Sequence, residues 1–336
     1  MIRFRPLQNA PRPNLPKIVN STSVNYLEAG ENESGQRLDN FLLTRLRGVP
    51  KSRIYRIIRK GEVRVNGGRC NPATRLKTGD RIRIPPIRAA AQNQARANPA
   101  QIERLEQCIL YQDRDLLVLD KPCGLAVHGG SGIDIGVIET LKQSALYDGF
   151  LELAHRLDRE TSGCLVMARN REALLRLHEL FRRDRPGVNK YYLALCLGRL
   201  DPASRQVTLP IKRLAGEAGR AKCVIADDGQ ASLSEIVTRQ VFANSSLVRI
   251  RLATGRTHQA RVHCAGIGHP ILGDGMYGDF AANREFKQLG LNRLFLHASE
   301  IQFKHPLSGK ALRLRASLPP ELTRVLDSLG NSAEGV

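Results

Sequence analysis

The sequence predicts an α+β protein in two parts: a small basic α+β domain, then a larger domain built on a long mixed or antiparallel β-sheet flanked by helices. Three observations point there. At 336 residues with 42 % hydrophobic side chains, the chain is long enough for about two cored domains. Charge gathers near one end: residues 36–88 hold 15 Lys/Arg against Asp39, Glu62 and Asp80, whereas residues 99–336 hold 32 basic against 26 acidic side chains. From residue 103 onward, strand signals follow one another with turn signals between them and few long helices, the pattern of an α+β domain.

Residues 1–34, rich in Pro, Asn and Ser and without periodicity, read as a flexible arm. From Gln36 the pattern turns helical. Leu38, Phe41, Leu42 and Leu46 share one face; after Pro50 and Ser52 so do Ile54, Ile57 and Ile58, with Gly61 placed to end the second helix. Val63-Arg64-Val65, the Asn66-Gly67 turn signal and Arg81-Ile82-Arg83-Ile84 read as short strands. Residues 35–86 are therefore assigned to the small domain. Residues 87–101, rich in Ala, Gln and Asn, read as a linker, with a short helix as the alternative. Over 102–330, strands are predicted at 108–111, 116–120, 163–168, 190–197, 233–242, 247–252, 294–304 and 311–317, and helices at 136–146, 171–183, 257–265 and 320–329.

Lys and Arg total 52 and Asp and Glu 32, a formal charge of +20 with a pI of about 10.2. Such an excess calls for a polyanionic partner. Within 36–88 Arg outnumbers Lys 12 to 3, which suits bidentate phosphate contacts. Arg45, Arg47, Lys51, Arg53, Arg56, Arg59 and Lys60 are the docking candidates. Seven cysteines, an odd number without a CxxC, argue against a disulfide framework and a structural zinc site, and for a reducing, cytoplasmic setting. The first residues lack the apolar core of a signal peptide, and no apolar run approaches the length of a membrane span. Nucleic acid is thus the leading partner and a membrane is not expected. No large apolar helix face stands out, so a monomer is expected.

Several familiar catalytic signatures are missing: there is no GxxxxGK[ST], no GxGxxG between strand and helix, and no HExxH. His258 and His263 are five apart, off a common helical face, so no metal site is expected. The densest polar run is His155-Arg-Leu-Asp-Arg-Glu-Thr-Ser-Gly163, between strand signals. A carboxylate at Asp158 flanked by Arg156 and Arg159 would stay ionised, as a nucleophile or general base must; a structural turn with solvated arginines is the competing reading. A second run, 252–263, places Arg256 at a strand–helix junction from which it could reach a carboxylate across a cleft; an ordinary turn on a basic surface is the alternative. In a third, 189–198, period-two alternation puts Tyr192 with Lys190 on one face and Tyr191 on the other, so that one tyrosine could stack on a base or both could simply pack. The Gly-rich 128–132 could admit a phosphate but is weak alone.

Together these runs resemble the pseudouridine synthases of the RluA family. HRLDRETSG matches that family's HRLDxxTSG, KYYLA its KxYxA, TGRTHQARVH and GHPILGD its TGRxHQIRxH and GHPIxGD, and LVLDKPCGLAVHGGSG its opening strand and KPxGxxVH turn. Residues 36–86, with RLDNFL, IRKGEVRVNG and GDRIRI, resemble the small RNA-binding domain shared with ribosomal small-subunit protein S-four. Ala260 and Cys123 depart from the commoner residues at their positions. The resemblance spans about residues 20–325 and implies the pseudouridine synthase fold. It also implies an isomerase that breaks the uracil–ribose bond, turns the base and rejoins it through carbon five, with no cofactor. It implies Asp158 as the catalytic residue, Arg156 filling the stack vacated by the flipped base, Tyr192 stacking on the uracil and Arg256 paired with Asp158. The substrate it implies is 23S (large-subunit) ribosomal RNA. A synthase acting on tRNA and a non-catalytic RNA-binding or ribosome-assembly protein are the alternatives.

Overall fold

The computed structural model describes residues 23–46, 48–87, 96–129, 135–147, 149–182, 187–200, 204–214 and 222–331. The chain divides into two units, one built mainly from residues before Ala97 and one mainly from Ala97 onward.

In the first unit β1 (Asn25–Glu28), β2 (Arg64–Val65), β3 (Gly68–Arg69) and β4 (Arg81–Ile84) form an antiparallel sheet ordered β1-β4-β2-β3, accompanied by α1 (Leu38–Arg45) and α2 (Lys51–Arg59). The helical stripes read from the sequence do bury together: Leu38, Phe41, Leu42, Ile54, Ile57 and Ile58 share a core with Leu27, Ile82 and Ile84. Asp39, 2 % exposed, ties the two helices. It accepts from Arg37 at 2.6 and 3.1 Å and from the Tyr55 hydroxyl at 2.8 Å, and the Arg37 hydrogen bond holds its carboxyl down at about 2.

The arm reading fails for its last ten residues. Asn25–Glu28 pairs along its whole length with Arg81–Ile84, and Leu27 enters the core. The four-residue alternation Asn-Tyr-Leu-Glu was too short to stand out from its Pro/Asn/Ser surroundings. The linker reading fails at its end. Asn98 caps a helix by accepting from the Ala100 N–H (3.0 Å), and α3 runs Pro99–Gln107 with Pro at its first turn. Residues 1–22 and 88–95, as well as Arg47, lie outside the described residues. Of the other docking candidates, Lys51, Arg56, Arg59 and Lys60 are exposed and Arg53 half-buried. Arg45 is instead drawn into an ion pair with Glu33 at 2.7 Å.

In the second unit the backbone of the fold is one ten-stranded sheet, ordered β10-β13-β14-β9-β15-β8-β6-β5 with β16 on β15 and β7 on β8. Its strands are β5 (Ile109–Gln112), β6 (Leu116–Lys121), β7 (Glu152–Leu153), β8 (Ser162–Ala168), β9 (Val188–Leu197), β10 (Ser204–Val207), β13 (Ser234–Val241), β14 (Ser245–Leu252), β15 (Leu296–Lys304) and β16 (Ala311–Arg315). A separate ribbon joins β11 (Ile211–Leu214) to β12 (Lys222–Ile225). Helices α4 (Val137–Leu141), α5 (Arg171–Leu180), α6 (Gln259–Gly266), α7 (Phe280–Gln288) and α8 (Pro320–Asn331) complete the unit. The sheet is mixed because β8 and β15 run parallel, pairing Ser162 with His297 and Gly163 with Ala298. All seven residues of β8 are buried, as a central strand covered on both faces should be. At its start Gly163 has φ +109°, and a Cβ there would sit 2.3 Å from the Ala298 carbonyl oxygen. Only glycine allows that approach, and it fixes where the polar run 155–161 enters the sheet.

Candidate active site

Loop 155–161 connects β7 to β8 and is strapped at both ends. At one end the His155 Nε2 accepts the Val166 N–H (3.0 Å) and the ring stacks on Phe181, 4.9 Å between centroids. Burial pushes this histidine down to about 3, so it is neutral and carries its proton on Nδ1. At the other end Lys121, 0 % exposed, donates to the Pro122, Leu125 and Arg159 carbonyls at 2.9, 2.9 and 3.1 Å. All three ammonium hydrogens are used on backbone, joining the 121–125 turn to the polar loop. Burial lowers this lysine to about 8. The Gly124 N–H bonds the same Arg159 carbonyl at 2.9 Å.

The second motif forms the facing wall. Gln259, 2 % exposed, knots its turn: Oε1 accepts from the Thr254 hydroxyl (2.8 Å) and Arg256 N–H (3.0 Å), while Nε2 donates to the Leu233 carbonyl (2.9 Å) and Ser234 hydroxyl (3.0 Å). The knot holds His258 in the left-handed region, φ 57° and ψ 18°, where a non-glycine residue is uncommon and worth a functional question. The third motif supplies the floor. β9 presents Lys190 and Tyr192 to the cleft, while Tyr191 turns to the other face under the Arg249 guanidinium, 3.8 Å from its ring centre. Burial lowers Lys190 and, with the Asp158 charge second, raises Tyr192.

These walls enclose a cavity of about 280 Å³. Asp158, Arg156, Tyr192 and Arg256 all line it, so the structure brings the four sequence-predicted residues together. Asp158 keeps 22 % of its side chain exposed.

One expected contact is replaced. Arg256 does not pair with Asp158: it donates from Nε and Nη2 to the Ala231 carbonyl at 3.0 and 2.8 Å. The guanidinium facing Asp158 is Arg261, whose Nη1 lies 4.0 Å from Oδ2. Arg261 is anchored behind by a two-pronged pair with Asp274, both bonds 2.7 Å, and Asp274 also accepts from the Met276 and Tyr277 N–H groups. The reason is position in the turn. Arg256 precedes the helix and its side chain folds back on β13's approach, whereas Arg261 is on the first turns of α6, on the side that meets the cleft. Sequence reasoning missed Arg261, His258, Asp274 and Tyr277. All four lie inside or beside the motif runs, but spacing alone could not say which arginine of the run faces the carboxylate.

Elsewhere in this unit Asp113, Asp115 and His305 cluster. The His305 Nδ1 takes the Leu307 and Ser308 N–H groups, so the proton is on Nε2, 3.1 Å from Asp113 Oδ2. A nitrogen that carries a proton is not a metal ligand.

Residues 115–266 match the RNA pseudouridylate synthase family, and residues 36–82 match the S4 domain. A Haemophilus influenzae protein named ribosomal large subunit pseudouridine synthase C is 46 % identical over 94 % of this chain and 98 % of its own. The chain belongs to the RNA pseudouridylate synthase family. This synthase is also 44 % identical to the Escherichia coli K12 protein of the same name, over 92 % of this chain and 98 % of that one. Its fold is similar to the solved human RNA pseudouridylate synthase domain containing 4, at TM-score 0.56 and 29 % identity, covering 69 % of this chain and 96 % of that one. The synthase is thus an isomerase with an N-terminal S4 domain on a pseudouridine synthase domain. Among the described residues no helix is long and apolar enough to cross a membrane.

Proposed function

We propose that the synthase converts specific uridines of 23S ribosomal RNA to pseudouridine, acting as a cytoplasmic monomer without a cofactor. One observation carries the assignment of the site: a cleft of nucleotide size holds, among the described residues, a single part-exposed carboxylate, Asp158, between an aromatic floor and two fixed cationic side chains. The names of the relatives support large-subunit RNA as the substrate, and the basic S4 domain supports an RNA partner.

The target uridine turns out of its RNA into the cleft, with Arg156 at the mouth taking its place in the stack and the Tyr192 ring lying against the base. Asp158 then either attacks the anomeric carbon of the sugar or removes the sugar's C2′ proton. On the first route N1 leaves as the Asp158–C1′ ester forms, the uracil turns, and C5 displaces the carboxylate from C1′. On the second N1 leaves with the C2′ proton passing to Asp158, the uracil turns, and C5 bonds to C1′ as Asp158 returns that proton to C2′. On both, the C5 proton then leaves and N1 gains one. No atom is added, so the product is an isomer. Arg261, held by Asp274, keeps positive charge beside the carboxylate in a water-poor site, where it counts for more than in bulk.

The experiment is carbodiimide mapping of pseudouridine on ribosomal RNA from cells lacking the gene, complemented with wild type or with Asp158→Asn. Stops that return with wild type only support the reading and identify the uridines. Stops that return with Asp158→Asn overturn the role of Asp158. Ribosomal stops unaffected by the deletion, with losses in tRNA instead, overturn the substrate.

A further inference from the structure

The reading of Asp158 leaves unexplained why a histidine is held in a left-handed conformation beside it. His258 Nε2 lies 3.8 Å from Asp158 Oδ2, and Nδ1 lies 2.8 Å from the Tyr277 hydroxyl oxygen. That hydroxyl already accepts the Cys223 N–H at 2.9 Å. Among the described residues the phenol proton then has one acceptor, the His258 Nδ1; the opposite tautomer would leave it without a partner there in a half-buried place, at a cost. The hydrogen-bond pattern therefore assigns the imidazole proton to Nε2, on the side of the carboxylate.

We infer that His258 is a positioning residue whose Nε2–H, fixed by Tyr277, is directed at the Asp158 carboxylate and aims and steadies it during the reaction. The inference rests on Asp158 being the reacting group. The 3.8 Å separation is about 1 Å longer than a charge-assisted hydrogen bond, as catalytic contacts often are before substrate closes the site. Three further features hold the arrangement. Gln259 knots the backbone next to His258. The two rings meet edge-on at 5.6 Å and 71°. The Arg261 guanidinium lies 4.9 Å from the Tyr277 ring centre, so Tyr277 is wedged between the two groups that face Asp158. The link also reaches outward. Cys223 belongs to β12, and it packs with Ile211 and Val262, so the β11–β12 ribbon and the carboxylate are joined through two side chains.

The groups facing His258 are Asp158 and Arg156 from the loop, Arg261 from α6, and Asp274 and Tyr277 from the turn after it. Cys223 on β12 and Tyr192 on β9 complete the surroundings. Burial lowers the histidine's pKa against the opposing pull of Asp158, in keeping with a neutral ring that donates rather than a cation that neutralises.

The test uses the full-length synthase with an unmodified large-subunit RNA transcript, measuring kcat and KM from pH 5 to 9. His258→Gly suits the backbone there, and Tyr277→Phe removes the proton that fixes the tautomer. Each is expected to lower kcat by about 10- to 100-fold, the effect of one hydrogen bond to a charged group, while KM stays within about twofold. The acid limb of the kcat profile is expected to move to higher pH, because the carboxylate has lost a donor to its charged form. Added imidazole is expected to restore part of kcat to His258→Gly and none to Tyr277→Phe. His258→Asn, which tolerates the same backbone but cannot reach Asp158, keeps the inference open to refutation if the glycine variant folds poorly; it should behave like His258→Gly without imidazole. Wild-type kcat and an unshifted profile in His258→Asn and Tyr277→Phe, or a loss confined to KM, would overturn the inference. Activity in Asp158→Asn would overturn the underlying assignment instead; an inactive Asp158→Asn beside fully active His258 variants would sink the positioning role alone.

Discussion

Replacing Arg261 by Met removes the cation from a pair in which both partners are buried: the guanidinium is 9 % exposed and the Asp274 carboxylate 0 %. Two charge-assisted bonds of 2.7 Å disappear, and at about 1.5–3 kcal/mol each they set a loss of roughly 3–6 kcal/mol. The Met276 and Tyr277 N–H groups still reach Asp274 Oδ1 at 2.8 and 3.0 Å, which places the expected value in the lower half, at about 3–4 kcal/mol, within the range for breaking a buried pair. The sign with pH follows. In the native protein the Arg261 bonds and charge hold the Asp274 pKa below its ordinary value despite burial. That stability is present above the unfolded carboxylate pKa and is lost as pH falls through the folded one. Without Arg261 burial dominates and the folded pKa rises above the unfolded one, so the variant's deficit is full near pH 7.5 and narrows toward pH 5. Urea unfolding of the whole chain at both pH values, followed by a probe in the second unit, measures this. Adding Asp274→Asn to Arg261→Met, which keeps an acceptor for the two N–H groups without the charge, should recover about half of the loss or more. Equal stability of wild type and Arg261→Met at pH 7.5, or a deficit that grows on acidification, would refute the account of the pair.

Gly163→Ala should cost about 1–3 kcal/mol from backbone strain alone, with the close Ala298 carbonyl adding to it; an unchanged melting temperature would contradict the packing argument. His155 and His297 are held neutral by burial, at about 3 and about 4, below the unfolded value of 6.5. As pH falls from 6.5 toward 4 the unfolded chain binds two protons that the folded chain does not, so stability should drop by up to about 2.7 kcal/mol per pH unit, and NMR should show His297 neutral at pH 5. Changing Lys51, Arg56 and Arg59 together to Ala should reduce the slope of log K against log salt for RNA binding by about 2–3, and an unchanged slope would remove this surface from the docking role. Lys121→Met should slow catalysis more than it lowers stability, because the loss of three hydrogen bonds to carbonyls is offset by removal of a buried charge; circular dichroism melting beside single-turnover rates checks the order.

The long elements were legible because their periods are long. The eight strands read from the second domain appear within about two residues of their expected ends, from β5 to β16. What escaped was short or carried by a contact distant in sequence. β7 has two residues, β10, β11 and β12 four each, too few to register a period-two pattern, and β1 is identified only by its pairing with β4 more than fifty residues on. The helix α7 was missed because Phe280–Gln288 buries two of its nine residues, Ala282 and Phe286, too thin a stripe to read. The cleft followed the same division. The strand alternation that separates Tyr192 from Tyr191 is local and could be read directly. Which of Arg256 and Arg261 faces Asp158 depends on where the left-handed residue His258 ends the turn and α6 begins, and nothing in the residue types fixes that point to within one helical turn.

The difference between the two carboxylates that Arg261 touches explains why the arrangement can react. Asp274 takes both prongs of the fork, is fully buried and sits among fixed backbone donors. Asp158 gets the remaining nitrogen, at 4.0 Å. Coulomb energy falls only as the inverse of distance, so moving a charge from 2.7 to 4.0 Å keeps about two-thirds of the attraction at equal dielectric, whereas the hydrogen bond is lost outright. Asp158 therefore keeps most of the electrostatic benefit while its oxygen lone pairs stay free for a substrate atom. If Arg261 were not anchored by Asp274, it would close the gap and occupy those lone pairs itself. The anchor predicts a specific outcome for Asp274→Asn alone: with its rear partner neutralised, Arg261 should swing onto Asp158, and kcat should fall although no group lining the cleft has been altered. A crystal structure of that variant with Arg261 still 4 Å from Asp158 and kcat unchanged would show that the spacing has some other cause.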